Sequence, residues 1–256
     1  MNATQPGNPV PSPTMRSMFD RIAPVYDAMN TLMTGGLDAR WRRAAIAAAR
    51  LGPGMRVLDV ACGTGKLARA AAAAVGPGGE VVGLDLSAAM LLRAAGASTP
   101  ARAATPRYLV GDALALPFDS GRPGDGFDAV TIGFGLRNLP DHRAGLHEMR
   151  RVLVPGARLV VLEIAEPRTG LPRLLYLTWF RRAVPLLGRL LRGGGAYRYL
   201  SESLRAYPAP ARVAELMNEV GLTDVRWRWL PSGMATLHVG RRPIAATVST
   251  GGEAAT

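Results

Sequence analysis

The chain has a single cysteine, Cys62, in 256 residues, which excludes an internal disulfide framework and suits a reducing compartment. Lysine is as scarce. Lys66 is the only one, and every other strongly basic residue is arginine. Histidine is limited to His142, His147 and His238, and none has the paired Cys or carboxylate spacing of a zinc site. Aromatic residues make up 6%, and no RNP-type aromatic platform for stacking bases is visible. Acidic residues are outnumbered 19 to 31, for a formal charge of +12. Such basicity attracts nucleic acid or an anionic membrane surface, but an arginine-for-lysine, alanine-rich bias also follows from genome composition. Long apolar runs are missing. The most apolar stretch, residues 171–200, is interrupted by Arg181 and Arg182 and kinked at Pro185, so it cannot span a bilayer. Residues 1–14 lack the apolar centre of a signal peptide.

What is present is alternation. Strand patterns at 56–60, 81–84, 108–110, 128–132 and 158–162 alternate with helical patterns at 66–75, 87–95 and 141–153. That order predicts a doubly wound α/β fold with a mostly parallel sheet. Residues 14–50 read as two helical pieces broken at Gly35-Gly36. Val213, Leu216, Met217 and Val220 share one face of a last helix, and 225–230 with 235–239 read as a closing pair of strands. The expected organisation is a disordered leader (1–14), one domain (15–242) with a lid or acceptor insertion (171–207), and a disordered tail (243–256).

VLDVACGTGKLA, residues 57–68, carries a strand into Gly63-Thr64-Gly65 and out into a helix. Glycine lets the backbone turn sharply and lets a ligand approach it. Asp85 ends the next strand, where a carboxylate accepts from ribose hydroxyls; Leu86 follows it. Gly63, Gly65 and Ala68 also satisfy a dinucleotide fingerprint. Two features favour S-adenosylmethionine (SAM) over NAD. Asp59, inside the first strand, would repel a pyrophosphate but suits an ammonium. In GDALALPF, residues 111–118, Asp112 can accept from an adenine amino group while the Ala113 N–H donates to the ring.

TIGFGLRNLPD, residues 131–141, narrows the reading. Its Gly-Leu-Arg-Asn run resembles the signature of the UbiE/MenG quinone-biosynthesis C-methyltransferases. MFDRIAPVYDAMNTLMTGGLDARWRR (18–43), AYRYLSESLRAYP (196–208) and GMATLHVGRRP (233–243) are similar to further blocks of that family, in the same order. The resemblance implies a Rossmann-like, seven-stranded sheet with one antiparallel strand, N-terminal helices and a helical lid. It implies methyl transfer from SAM to a ring carbon of a polyprenyl quinol, demethylmenaquinol to menaquinol foremost. Thr64, Asp85, Asp112 and Ala113 would contact SAM, and Tyr26, Arg137 and Asn138 would face the ring. Arg137 suits a developing phenolate, since guanidinium stays charged and only donates. The proton acceptor stays open among water, His142 and Tyr26. Lys66, where the family has Asp or Ala, and the long segment DSGRPGDG (119–126) are departures.

Other readings remain open: the same scaffold acting on a specialised phenolic or polyketide metabolite, a basic nucleic-acid-binding protein, and an NAD oxidoreductase. The expected setting is cytoplasmic, at the inner face of the membrane, with peripheral contact through 171–192. A homodimer is also open.

Overall fold

The computed structural model describes residues 12–119, 124–167 and 203–244, with Gly170 and Thr178 besides. The helical expectation over most of the insertion, including the membrane contact at 171–192, lies outside them.

Three helices come first: α1 (Ser12–Ile22), α2 (Tyr26–Met33) and α3 (Asp38–Ala49). The sequence pattern predicts only the break at Gly35-Gly36. The second break falls at Pro24, which brings no N–H for a helical bond and crowds the preceding turn. Gly35 and Gly36 both have positive φ.

The alternating part follows as β1 (Arg56–Val60), α4 (Lys66–Val75), β2 (Glu80–Asp85), α5 (Ala88–Ala95), β3 (Arg107–Val110), β4 (Phe127–Gly133), α6 (His142–Arg151) and β5 (Leu153–Ile164). It closes with α7 (Pro210–Glu219), β6 (Thr223–Trp229) and β7 (Ala235–Arg241). The sheet order is β3-β2-β1-β4-β5-β7-β6, with β7 antiparallel to both its neighbours. Strand β5 starts five residues before the expected 158. The ladder pairs Phe127 with Leu153, then resumes at Ala129 and Arg158, so the extra residues around Gly156 (φ +83°) are absorbed as an irregularity rather than a preceding turn.

Both faces of the central strands β1, β2, β4 and β5 are buried, which explains why they read as near-continuous apolar runs. Val57, Ala129, Val160 and Leu162 point to the α3–α4 side. Their neighbours Leu58, Val130, Leu159 and Val161 point to the α6–α7 side, against Leu146, Met149, Val213 and Met217. The chain leaves β1 toward β2 on one side, while β4 lies on the other. The crevice outside the carboxyl ends of β1 and β4 is therefore the topological switch point, where such sheets bind ligands.

Candidate active site

A cavity lined mostly by apolar side chains opens at that point. Its floor is the turn after β1. Ala61 and Gly63 have positive φ there, as does Gly65, which leads into α4. Gly65 has a second constraint: a Cβ on it would stand 2.5 Å from the Tyr108 hydroxyl. The Gly63 N–H donates to Asp85 Oδ2 at 2.8 Å, and the Ser87 N–H to Asp85 Oδ1 at 2.9 Å. Asp85 is thus aimed from the end of β2 by two backbone donors. Burial nonetheless raises its pKa above the usual carboxylate value.

Leu84, Leu86, Met90, Gly111 and Ala113 form one end of the cavity; Ala61, Phe134, Gly135, Asn138 and Leu139 form the other. Met15, Arg16 and Phe19 of α1 and Tyr26 of α2 roof it. Phe19 and Tyr26 meet edge to face at 6.2 Å. Two polar ties hold the roof. Asp20 accepts from the Ser87 hydroxyl at 2.5 Å, at the N-cap of α5. Asp27 accepts from the Thr64 hydroxyl at 2.7 Å and lies 3.3 Å from the Lys66 ammonium. Lys66, the departure in the glycine loop, is therefore the cation that ties α2 to the loop.

Six of the eleven residues singled out from sequence line this cavity: Tyr26, Gly63, Asp85, Leu86, Ala113 and Asn138. The others stand behind the wall. Thr64 holds Asp27, and Gly65 starts α4. Asp112 accepts from the Leu114 N–H at 2.9 Å, shaping the turn that presents Ala113. Asp59 is buried and accepts from the Thr131 hydroxyl at 2.7 Å, while its Oδ2 has no hydrogen-bond partner among the described residues. Burial pushes its pKa up to about 7.

Arg137 sits in a 3-10 turn after β4, Leu136–Asn138. Its Nη1 donates to Glu163 Oε1 at 2.5 Å and to the Phe134 carbonyl at 2.7 Å. Glu163 is fully buried and also accepts from the backbone N–H groups of Arg137 (3.2 Å) and Ile164 (3.0 Å). Burial raises the Glu163 pKa, and Arg137 opposes that rise. Beside the pair, the rings of His142 and Tyr207 meet edge to face at 5.7 Å. Burial lowers the His142 pKa, which keeps the imidazole neutral at physiological pH.

Sequence reasoning missed Glu163, Asp20 and Asp27. Glu163 did leave a signal: it is the one acid in the apolar run of β5, and a buried charge requires a partner. Asp20 and Asp27 left none, because their partners lie 67 and 37 residues away. Among the described residues, no group of three potential metal ligands occurs, and no helix is long and apolar enough to cross a membrane.

Residues 10–242 match the model of the ubiE/COQ5 methyltransferase family. A demethylmenaquinone methyltransferase of Thermus thermophilus is 47% identical over 227 residues, covering 88% of this chain and all of that protein. Namesakes from Deinococcus radiodurans (88% of this chain, 91% of that one) and Mycobacterium marinum (89% and 93%) are each 43% identical. Among solved structures, a putative methyltransferase in complex with the Haloferax volcanii Trm112 activator superposes with a TM-score of 0.62 at 20% identity, covering 88% of this chain and 98% of that one. A Haemonchus contortus phosphoethanolamine N-methyltransferase in complex with SAM gives 0.55 at 16% identity, covering 79% and 52%. These two likenesses speak to the fold.

Proposed function

We propose, since this chain belongs to the ubiE/COQ5 methyltransferase family, that it transfers a methyl group from SAM to a ring carbon of a polyprenyl quinol, converting demethylmenaquinol to menaquinol. The observation that carries this reading is the cavity at the switch point, in a chain alike over nearly its whole length to three demethylmenaquinone methyltransferases.

The cavity suits SAM chemically. Each Asp85 oxygen accepts one backbone N–H and keeps a lone pair for a ribose hydroxyl. Leu84, Leu86 and Met90 offer apolar faces to an adenine, with Ala113 at the edge. The glycine loop, backed by Asp59, would take the methionine portion. When bound there, SAM supplies an electrophilic methyl on a sulfonium.

The protein must make a ring carbon nucleophilic and hold it in line. A neutral aromatic carbon is a poor nucleophile. Loss of a phenolic proton moves charge onto the ortho carbon, so a stabilised phenolate is the reactive form. Arg137, behind the cavity wall and next in sequence to cavity-lining Asn138, is the permanent cation this reading assigns to the ring oxygen, while Arg16 lines the cavity from the roof. Glu163 holds its guanidinium from behind. A preorganised donor of this kind contributes about 2.7–4 kcal/mol to an oxyanionic transition state. Asn138 would orient the ring oxygen, and Tyr26, Phe134 and Leu139, which line the cavity, would hold the ring against the methyl. The roof helices exclude water. Water, Tyr26 and His142 are the candidate proton acceptors; Tyr26 lines the cavity, and His142 packs against Tyr207 behind it.

The test is an anaerobic assay with labelled SAM and chemically reduced demethylmenaquinol, read by mass spectrometry. Product with one added ring methyl is expected. SAM binding with no transfer to the quinol would reject this acceptor.

A further inference from the structure

The edge strand β6 has two unlike faces. Arg226 and Arg228 are exposed on the side toward α3, about 7 Å apart along the strand. With Arg50, Arg158 and Arg241 they surround a solvent-open cleft floored by alanines of α3. Arg158 and Arg241 stand directly opposite each other in the β5–β7 ladder, a like-charge pairing that destabilises a sheet unless something compensates it. The guanidinium pKa of Arg158 is lowered by burial and then by Arg50 and Arg241. Arg42, Arg56, Arg137, Arg151 and Arg212 each have a carboxylate partner. Among the described residues, none of the five cleft arginines forms a salt bridge; Arg158 donates to the Ala48 carbonyl at 2.9 Å and feels the charge of Asp224, which lines the cleft without a salt bridge to any of them.

The other side of β6 is apolar. Trp227, 38% exposed, stacks on His238 and meets Trp229 edge to face at 6.4 Å. The two indoles line a groove with Pro167, Leu230 and Pro231, at the end of the sheet where β5 also ends. Indoles beside unpaired arginines fit the boundary between bilayer interior and anionic headgroups. A formal charge of +12 argues against a second copy as occupant.

We propose that the β6 edge, with the arginine cleft on one side and Trp227–Trp229 on the other, docks the protein on an anionic phospholipid surface. The inference rests on the quinol reading, because a lipid-tailed acceptor is met at a membrane. None of the residues that carry the proposal falls within 171–192.

The test is co-sedimentation of the full chain with phosphatidylglycerol–phosphatidylcholine vesicles and with phosphatidylcholine alone, at low and high salt. It needs no turnover, so it can fail while the quinol reading stands. Binding should require the anionic lipid, weaken with salt, and shift Trp fluorescence to the blue. Arg226→Glu with Arg228→Glu should weaken it about tenfold or more, with turnover of a short-tailed, water-soluble quinol unchanged. If charge reversal disturbs the circular dichroism melt, Arg226→Gln with Arg228→Gln removes the charges at similar size and should weaken binding in the same direction. Equal binding to neutral vesicles, no effect of the substitutions, or capture of a short RNA at a salt concentration where vesicles are ignored would overturn the proposal.

Discussion

At the residue scale, the buried ionisable groups set the sharpest expectations. Arg137→Ala removes the proposed oxyanion donor and leaves Glu163 buried without its cation. Turnover should fall by about 10²–10³-fold with SAM affinity retained, as read by single-turnover kinetics and calorimetry. Unchanged turnover would remove Arg137 from the mechanism. The same variant should lose more stability at alkaline pH than at acid pH. Glu163 already has a raised pKa, and without Arg137 the opposing pull is gone. Its proton then becomes a requirement of the fold, and that stability disappears as pH rises through the folded value.

Asp59 offers a cleaner case of the same sign. Its folded pKa, about 7, lies above the ordinary aspartate value of 3.8. The native state therefore holds a proton that the unfolded state gives up. The associated stability is complete below 3.8 and is lost as pH rises to about 7. Asp59→Asn keeps shape and removes that dependence. Its stability relative to the parent should rise through this window, by on the order of a few kcal/mol, and then level off. Denaturant melts at several pH values measure it; a flat difference would mean that Asp59 is ionised in the native protein.

At the scale of elements, the glycine loop and the roof helices are one assembly. Gly65→Ala drives a Cβ against the Tyr108 hydroxyl at φ +74° and should abolish SAM binding. Adding Tyr108→Phe removes the oxygen and should restore binding only in part, because the left-handed backbone still costs about 1–2 kcal/mol. Full recovery would show that the oxygen alone was the obstacle. The ties of α2 are weaker. The Lys66–Asp27 pair is partly exposed, so Lys66→Ala should cost under about 1 kcal/mol of stability. Asp27→Ala also frees the Thr64 hydroxyl, which lies in the loop itself. It should raise KM for SAM more than Lys66→Ala does, and equal KM values would place the roof's hold elsewhere.

At the scale of the molecule, Asp59 and His238 oppose each other. His238 lies in the sheet with Nε2 on the Pro210 carbonyl at 2.9 Å, and burial lowers its pKa from 6.5 to about 4. Its stability contribution is present above 6.5 and lost as pH falls toward 4, the reverse of Asp59. Between about 4 and 6.5 the two slopes largely cancel. Removing either group should uncover the slope of the other, and comparing the melts of Asp59→Asn and His238→Gln over that range checks it.

The alternating order of elements was legible in the sequence because period and punctuation are local. Strand β1 and helices α4 and α5 begin and end where glycine turns and the Ser87 cap place them. The glycine loop and Asp85 were legible for the same reason: their residue types state a backbone need. Distance in the chain hid the rest. The order β3-β2-β1-β4-β5-β7-β6, the long β5 and the cleft at the β6 edge come from pairings between remote segments. Asp27 has meaning only once α2 lies on the glycine loop, and Glu163 only once Arg137 lies above it. The sequence by itself determined which residues must turn, cap or bury an apolar face. The tertiary structure alone decided which buried charges meet and which arginines stay unpaired, because Coulombic and hydrogen-bonding partners are set by distance in space.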